Sequence, residues 1–247
     1  MSWGTLLINK WLFGVMAALC VIVLLMRLCV NGGHCSFIYA IDSNLSVGAI
    51  QELQDTFSSL VSERGPSVAI QAMQARYPYL KDATCAYLPS QHAYVAMQVR
   101  YPHCLINNEK LLFDDGLLIS KTVFQDDIVS ALPAITISHL NNQIDILPAA
   151  MRALVMAIPS TWYTTYAIVW RGDHALCLYE KNRDDVFFVF DTQSVPDESM
   201  LAACQQVAQE CRVTPSRKHC LVVDARFENQ IIVYGDTGGY GHGPGIG

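Results

Sequence analysis

Two aspartates stand in short segments that could support hydrolytic chemistry. Residues 188–192 read FVFDT and residues 233–238 read VYGDTG, so each aspartate follows an apolar run and precedes a threonine. Two such carboxylates held face to face would share one proton and could activate a water molecule. However, Gln193 follows the first segment where close approach favours glycine, and only nine residues follow the second. The carboxylate pair therefore has little support in the sequence.

Other catalytic and cofactor-binding motifs are missing from the sequence. It contains no G-x-S-x-G, no H-E-x-x-H and no glycine loop followed by a phosphate-binding lysine. The seven histidines are scattered, and no two of them have the spacing of a metal pair. We therefore predict that the protein is not an enzyme and has no catalytic residue, cofactor or bound metal.

Composition narrows the class of protein further. The net charge is −6, and no stretch concentrates lysine or arginine, so binding to nucleic acid is not expected. The hydrophobic content of 52% and the mean hydropathy of +0.26 are high for a soluble protein and indicate a membrane segment.

That segment is predicted at residues 11–30, where 16 uncharged residues, WLFGVMAALCVIVLLM, lie between Lys10 and Arg27. The run is long for the apolar core of a cleavable signal peptide, which usually has about 7–15 residues, so we favour a retained transmembrane helix over cleavage. Residues 1–10 would then be a short cytoplasmic tail. All acidic residues follow the segment, and we expect the body to lie outside the cytoplasm.

Hydrophobic periodicity predicts a small module over residues 31–101. A strand at 35–41 precedes a helix capped by Ser46, and Gly65-Pro66 starts a second helix. Strands follow at 83–88 and 93–99. The order is therefore β-α-α-β-β.

Residues 102–236 are richer in strands. Asp115-Gly116 between two apolar runs is the strongest hairpin signal in the chain. Helices are predicted at 146–158 and 196–212, where Cys204 faces the core, and Cys177 is also predicted to be buried. Further strands are predicted at 163–170, 174–180, 186–190 and in the final stretch 221–236. The glycine-rich residues 237–247 are predicted to form a flexible tail.

Four segments in this order resemble the bacterial division protein family FtsQ/DivIB. They are YPYLKDA at 77–83, the passage from Tyr101-Pro102 into LINNEKLLFDDGLLIS at 105–120, SALP at 130–133 and VVDARF at 222–227. The resemblance implies an α+β fold with an N-terminal transmembrane helix, a small β-α-α-β-β POTRA-like domain and then a mixed, mainly antiparallel β domain with helices.

The resemblance also implies a function and a location. Members of this family are non-catalytic, single-span scaffolds of the divisome that link early and late septal wall-synthesis proteins. The chain would lie in the bacterial cytoplasmic (inner) membrane, with its N-terminus inside and its body in the periplasm. Its partners would be FtsB- and FtsL-like proteins, FtsW- and FtsI-like proteins, and the lipid bilayer through residues 11–30.

The predicted partner-binding site is the last hairpin. Residues 231–234 form a strand with no covalent successor to cover its outer edge, and the family adds a partner strand at this edge. The residues that the resemblance assigns to the contact are Arg226, Phe227, Asn229, Gln230, Ile231, Ile232 and Val233. Strand alternation predicts Asp224 and Arg226 on one face, with Val223, Ala225 and Phe227 on the other.

Several alternatives stay open at this point. Asp224 and Arg226 could be an exposed ion pair of little energetic value, or Arg226 could fix the turn and the edge. The glycine-rich tail could itself cover the last strand. For the whole protein, the alternatives are a POTRA-containing membrane assembly or secretion component and an aspartic-type peptidase built on Asp191 and Asp236.

Overall fold

The computed structural model describes residues 36–87, 92–141, 143–172, 174–183, 185–193, 197–211, 220–227 and 230–236. The chain divides into two compact units: Met1–Asp42 with Glu52–Val99, and Ser43–Gln51 with Arg100–Gly247. The predicted transmembrane helix at 11–30 and the predicted flexible tail at 237–247 lie outside the described residues.

The first unit contains a three-stranded sheet. Its elements are β1 (Ser36–Ile41), most of α1 (Val47–Arg64), α2 (Pro66–Arg76), β2 (Leu80–Tyr87) and β3 (His92–Val99). The strand order is β1-β3-β2, with β1 parallel and β2 antiparallel to β3. Gly65 separates the two helices with φ 79°, and Pro66 occupies the first helical position, where its missing N–H is not needed. The buried side chains of Phe57, Met73 and Met97 form part of the core.

The second unit contains nine strands and four α-helices within the described residues. The strands are β4 (Cys104–Ile106), β5 (Lys110–Leu112), β6 (Leu118–Ser120), β7 (Ala134–Ile137), β8 (Tyr166–Arg171), β9 (Ala175–Glu180), β10 (Val186–Asp191), β11 (Cys220–Phe227) and β12 (Gln230–Asp236). The helices are α3 (Asp126–Ala131), α4 (Ala149–Ala157), α5 (Ser160–Thr165) and α6 (Glu198–Cys211), and a 3₁₀ turn spans Lys121–Val123.

All nine strands belong to one mixed sheet in the order β12-β11-β10-β9-β8-β7-β4-β5-β6. The pairs β4/β7, β7/β8 and β10/β11 are parallel, and the other neighbours are antiparallel. The parallel pairs need crossover connections. Helices α4 and α5 connect β7 to β8, and α6 connects β10 to β11.

The two faces of this sheet have different surroundings. On one face, Val223 and Phe188 pack in a large core that includes Leu154 of α4, Trp162 of α5 and Cys204 of α6. On the other face, a smaller buried cluster contains Val169, Ala175, Cys177, Phe187, Val189 and Val222. Both Cys177 and Cys204 are fully buried, so their prediction as core residues is confirmed.

The predicted hairpin at Asp115-Gly116 is confirmed. β5 and β6 pair in antiparallel fashion, and the Gly116 N–H donates to the Phe113 carbonyl at 2.8 Å. Gly116 has φ +91°, and a Cβ added there would lie 3.1 Å from the Leu147 carbonyl oxygen. Glycine is therefore required for both its backbone conformation and its lack of a side chain.

Replacing Gly116 with alanine is expected to lower the free energy of unfolding by about 1–3 kcal/mol, because a side chain disfavours positive φ and would also strain the contact with Leu147. The measurement is denaturant unfolding followed by circular dichroism. Gly48→Ala is the matched control, since nothing lies within 4 Å of a Cβ at Gly48 in α1. Equal stability of the two variants would contradict the requirement for glycine at 116.

The predicted fold class was wrong. Within the described residues the chain is a mixed α/β protein, with six α-helices and a large sheet in which three neighbouring pairs are parallel. No helix formed by the described residues is both long and apolar enough to cross a membrane, and the segment predicted at 11–30 is not among those residues. Local periodicity identifies strands but does not show which distant strand each one pairs with, so the predicted mixed, mainly antiparallel sheet did not include the position of any parallel pair.

Candidate partner-binding edge

The predicted site residues lie in the hairpin of β11 and β12. These strands pair in antiparallel fashion from Cys220 opposite Asp236 to Phe227 opposite Gln230. β12 is the outermost strand of the nine-stranded sheet. The hairpin contains the predicted residues Arg226, Phe227, Gln230, Ile231, Ile232 and Val233, whereas Asn229 lies outside the described residues.

A β-bulge interrupts this hairpin. Asp224 lies opposite Ile232 and Phe227 lies opposite Gln230, so three steps along β11 match two steps along β12. The extra residue shifts Phe227 to the same face as Asp224, since residues directly opposite each other share a face. The prediction that Phe227 shares the face of Val223 and Ala225 was therefore wrong.

Asp224 and Arg226 form a close ion pair at the bulge. The Asp224 carboxylate accepts hydrogen bonds from Arg226 Nε at 3.0 and 3.2 Å and from Arg226 Nη2 at 2.8 Å. It also accepts the Arg226 main-chain N–H at 3.1 Å. A single carboxylate therefore holds both the side chain and the backbone of the residue in the bulge.

The ion pair of Asp224 and Arg226 differs from an ordinary surface ion pair because it is largely buried. The Asp224 side chain is only 3% exposed, and that of Arg226 is 26% exposed. A carboxylate removed from water needs hydrogen bonds and a counter-charge to remain ionised at low cost. Of the two interpretations left open by the sequence, the geometry favours the one in which Arg226 fixes the shape of the hairpin.

The direction of the main-chain groups along β12 follows from the register. The Leu221 N–H donates to Asp185 on the β10 side, so Val222 and Asp224 direct their N–H and C=O groups towards β12. Their partners Tyr234 and Ile232 therefore direct theirs towards β11. The intervening residues Ile231, Val233 and Gly235 must then direct their main-chain groups to the outer side.

In the part of the chain that the structure describes, the outer side of β12 lacks the usual protection of an edge strand. Within the described residues no strand pairs with it, and residues 230–235 contain no charged residue and no proline. Phe227 is 49% exposed and Ile232 is 40% exposed. At the opposite edge of the sheet, β6 has only three residues. A long, mainly apolar edge, with its one charged residue at the end in Asp236, is typical of a site for strand addition.

The two aspartates considered for hydrolysis lie far apart. Val189 of β10 is level with Asp224 of β11, which places Asp191 beside the end of β11 near Arg226. Asp236 lies opposite Cys220, at the other end of β11. The separation is about 20 Å along the strands at ~3.3 Å per residue. Asp191 and Asp236 therefore cannot share a proton.

A cleft that the sequence did not reveal lies at the carboxyl ends of β7, β8 and β10. Its volume is about 750 Å³, and its lining includes the buried side chains of Trp170 and Leu154. The His139 and Trp170 rings meet edge to face at 5.9 Å. The full lining is His139, Pro148, Ala150, Met151, Ala153, Leu154, Trp170, Gly172, His174, Thr192 and Gln193. Among the described residues the lining is mainly apolar, and its polar side chains are those of His139, His174, Thr192 and Gln193, so it suits an apolar group that carries a few hydrogen-bonding atoms.

No group of three or more histidine, cysteine, aspartate or glutamate side chains in the described part of the chain could hold a metal ion. No protein-family model matches the chain, and no curated protein matches it at a significant level.

Proposed function

We propose that this protein is a non-catalytic scaffold of the bacterial division machinery that captures a partner protein by strand addition to β12. In this proposal the described units face the periplasm and link early and late septal wall-synthesis proteins. The captured partner is an FtsB- or FtsL-like protein, and FtsW- and FtsI-like proteins join the same assembly.

The observation that carries the proposal is the outer edge of β12. It combines outward main-chain groups at Ile231, Val233 and Gly235 with the exposed side chains of Phe227 and Ile232. An added strand would satisfy those main-chain groups and cover apolar surface at the same time. The resemblance of residues 222–227 to the terminal segment of the FtsQ/DivIB family supports the identity of the partner.

The buried ion pair of Asp224 and Arg226 supports the same proposal. It fixes the bulge, and the bulge brings Phe227 to the face of Ile232. The exposed side chains of Phe227 and Ile232 thus lie on the same face of the hairpin, near the Gln230 end of β12. A partner strand with apolar residues at alternate positions would cover both.

Replacing Val233 with proline is expected to reduce partner capture at least tenfold. The substitution removes an outward N–H but leaves the pairing with β11 intact, because the Val233 N–H takes no part in that ladder. A proline at Ile232 would be less informative, since the Ile232 N–H points to β11 and the hairpin itself would be damaged. The measurement is co-purification of partners from detergent-solubilised membranes of the source bacterium.

Val233→Thr is the matched control, because it keeps the β-branched shape and the N–H. We expect this variant to retain the partner at wild-type level. Circular dichroism of both variants verifies that the fold is intact. Wild-type recovery of partners by folded Val233→Pro would rule out strand addition at this edge.

A further inference from the structure

The outer edge of β12 is complementary to itself. We propose that β12 also pairs with β12 of a second copy of this chain, in antiparallel orientation about a twofold axis that passes between the two Val233 residues. The pairing would join two nine-stranded sheets into one continuous sheet. It requires only the open edge and does not depend on the proposed role in division.

The main-chain groups fit this register. In this register Val233 lies opposite Val233 of the second copy. Ile231 lies opposite Gly235 of the second copy, and by symmetry Gly235 lies opposite Ile231. All three residues direct their N–H and C=O groups outward, so each of these pairs can exchange two hydrogen bonds, about six in total. Shifting either chain by one residue would place outward groups opposite inward ones and lose the bonds.

The side chains fit the same register. Ile232 would lie opposite Tyr234 of the second copy, which sets a β-branched residue beside an aromatic one. Ile231 would lie opposite Gly235, where no side chain competes for space. No charged residue occurs in residues 230–235, so no like charges meet in this part of the interface. The exposed side chain of Ile232 would lose contact with water.

The size of the contact limits its strength. A single strand pair of seven residues buries less than the ~1,600 Å² of a standard protein interface, so the dimer is expected to be weak. The same outward groups would serve a partner strand. Self-pairing and partner capture therefore exclude each other on one copy, and self-pairing keeps the edge covered when no partner is present.

The first test is sedimentation velocity of the purified full chain from about 1 to about 100 µM. The average mass should rise towards that of a dimer with increasing concentration. Val233→Pro should remain monomeric over the same range, whereas Val233→Thr should associate like the wild type. A wild-type protein that stays monomeric, or a proline variant that associates equally well, would overturn the proposal.

The second test addresses the register and the twofold axis. In the proposed dimer the two Ile232 side chains are diagonal neighbours, about 7–8 Å apart. Ile232→Lys and Ile232→Glu should each associate at least threefold more weakly than the wild type, while an equimolar mixture should form mixed dimers at wild-type strength or better. A mixture no stronger than either variant alone would exclude this axis. Because no other protein is present, the result is independent of partner capture in the division proposal.

Discussion

Replacing Arg226 with alanine is expected to lower the free energy of unfolding by about 3 kcal/mol. The Asp224 carboxylate, which is 3% exposed in the intact pair, would lose its counter-charge and the hydrogen bonds from Nε and Nη2. Removing one partner of a buried ion pair typically costs about 3–5 kcal/mol, and the partial exposure of Arg226 places the value at the low end. Denaturant unfolding followed by tyrosine and tryptophan fluorescence measures the change.

A double variant separates charge from packing. Asp224→Asn combined with Arg226→Met removes both charges and keeps most of the volume, so it should recover at least half of the loss. Arg226→Lys is an intermediate case, because an ammonium group cannot make the forked contact of a guanidinium. If Arg226→Ala changed the free energy of unfolding by less than about 0.5 kcal/mol, the pair would be no stronger than an exposed one.

The protein is expected to lose stability in alkaline solution. Burial raises the pKa of the Cys104 thiol from its ordinary value near 9 to about 12, and burial raises the pKa of the Cys204 thiol to about 11. A raised folded-state pKa contributes stability that is present below the unfolded value and lost as the pH rises through the folded value. Cys104 alone therefore predicts a fall of about 1.4 kcal/mol for each pH unit between 9 and 12.

Denaturant unfolding at pH 7, 9 and 10.5 measures this fall. Cys104→Ala should be less stable at pH 7 because a buried sulfur is lost, yet its stability should decline less steeply above pH 9. Cys211→Ala is the matched control, since Cys211 is exposed on α6. The same slope for Cys104→Ala and the wild type would show that the Cys104 thiol does not couple folding to pH.

Local sequence signals predicted much of the secondary structure. The predicted strand at 35–41 is observed as Ser36–Ile41, and the predicted helix at 196–212 is observed as Glu198–Cys211. The Asp115-Gly116 turn was identified because its residue types match one backbone conformation. These features depend on neighbours in sequence, so periodicity and turn chemistry are sufficient to find them.

Boundaries near proline were predicted less well. The helix predicted at 146–158 is observed as Ala149–Ala157, beginning directly after Pro148. The strand predicted at 163–170 begins at Tyr166, because residues 160–165 form the short helix α5 after Pro159. In both cases proline is the N-cap residue that directly precedes the first turn of the helix, whereas the apolar pattern continues across the boundary.

The candidate edge was located from the sequence, but its geometry was not. The alternation of VVDARF suggests a regular strand, and nothing in it marks an extra residue at Ala225-Arg226. The bulge depends on pairing with β12 and on the burial of Asp224, and both are features of the tertiary structure. The same limit applies to the cleft beside Trp170, whose lining comes from four separate parts of the chain.

The unequal lengths of the two outer strands in the large sheet have a consequence for assembly. Once two copies have joined through β12, the strand left at each end of the combined sheet is β6, with three residues. Such a short strand offers too few main-chain groups to recruit another molecule. Growth through this sheet therefore closes at a symmetric pair and cannot continue into a fibril. The large sheet, as far as the structure describes it, thus has one edge long enough for pairing and one that is too short for further growth.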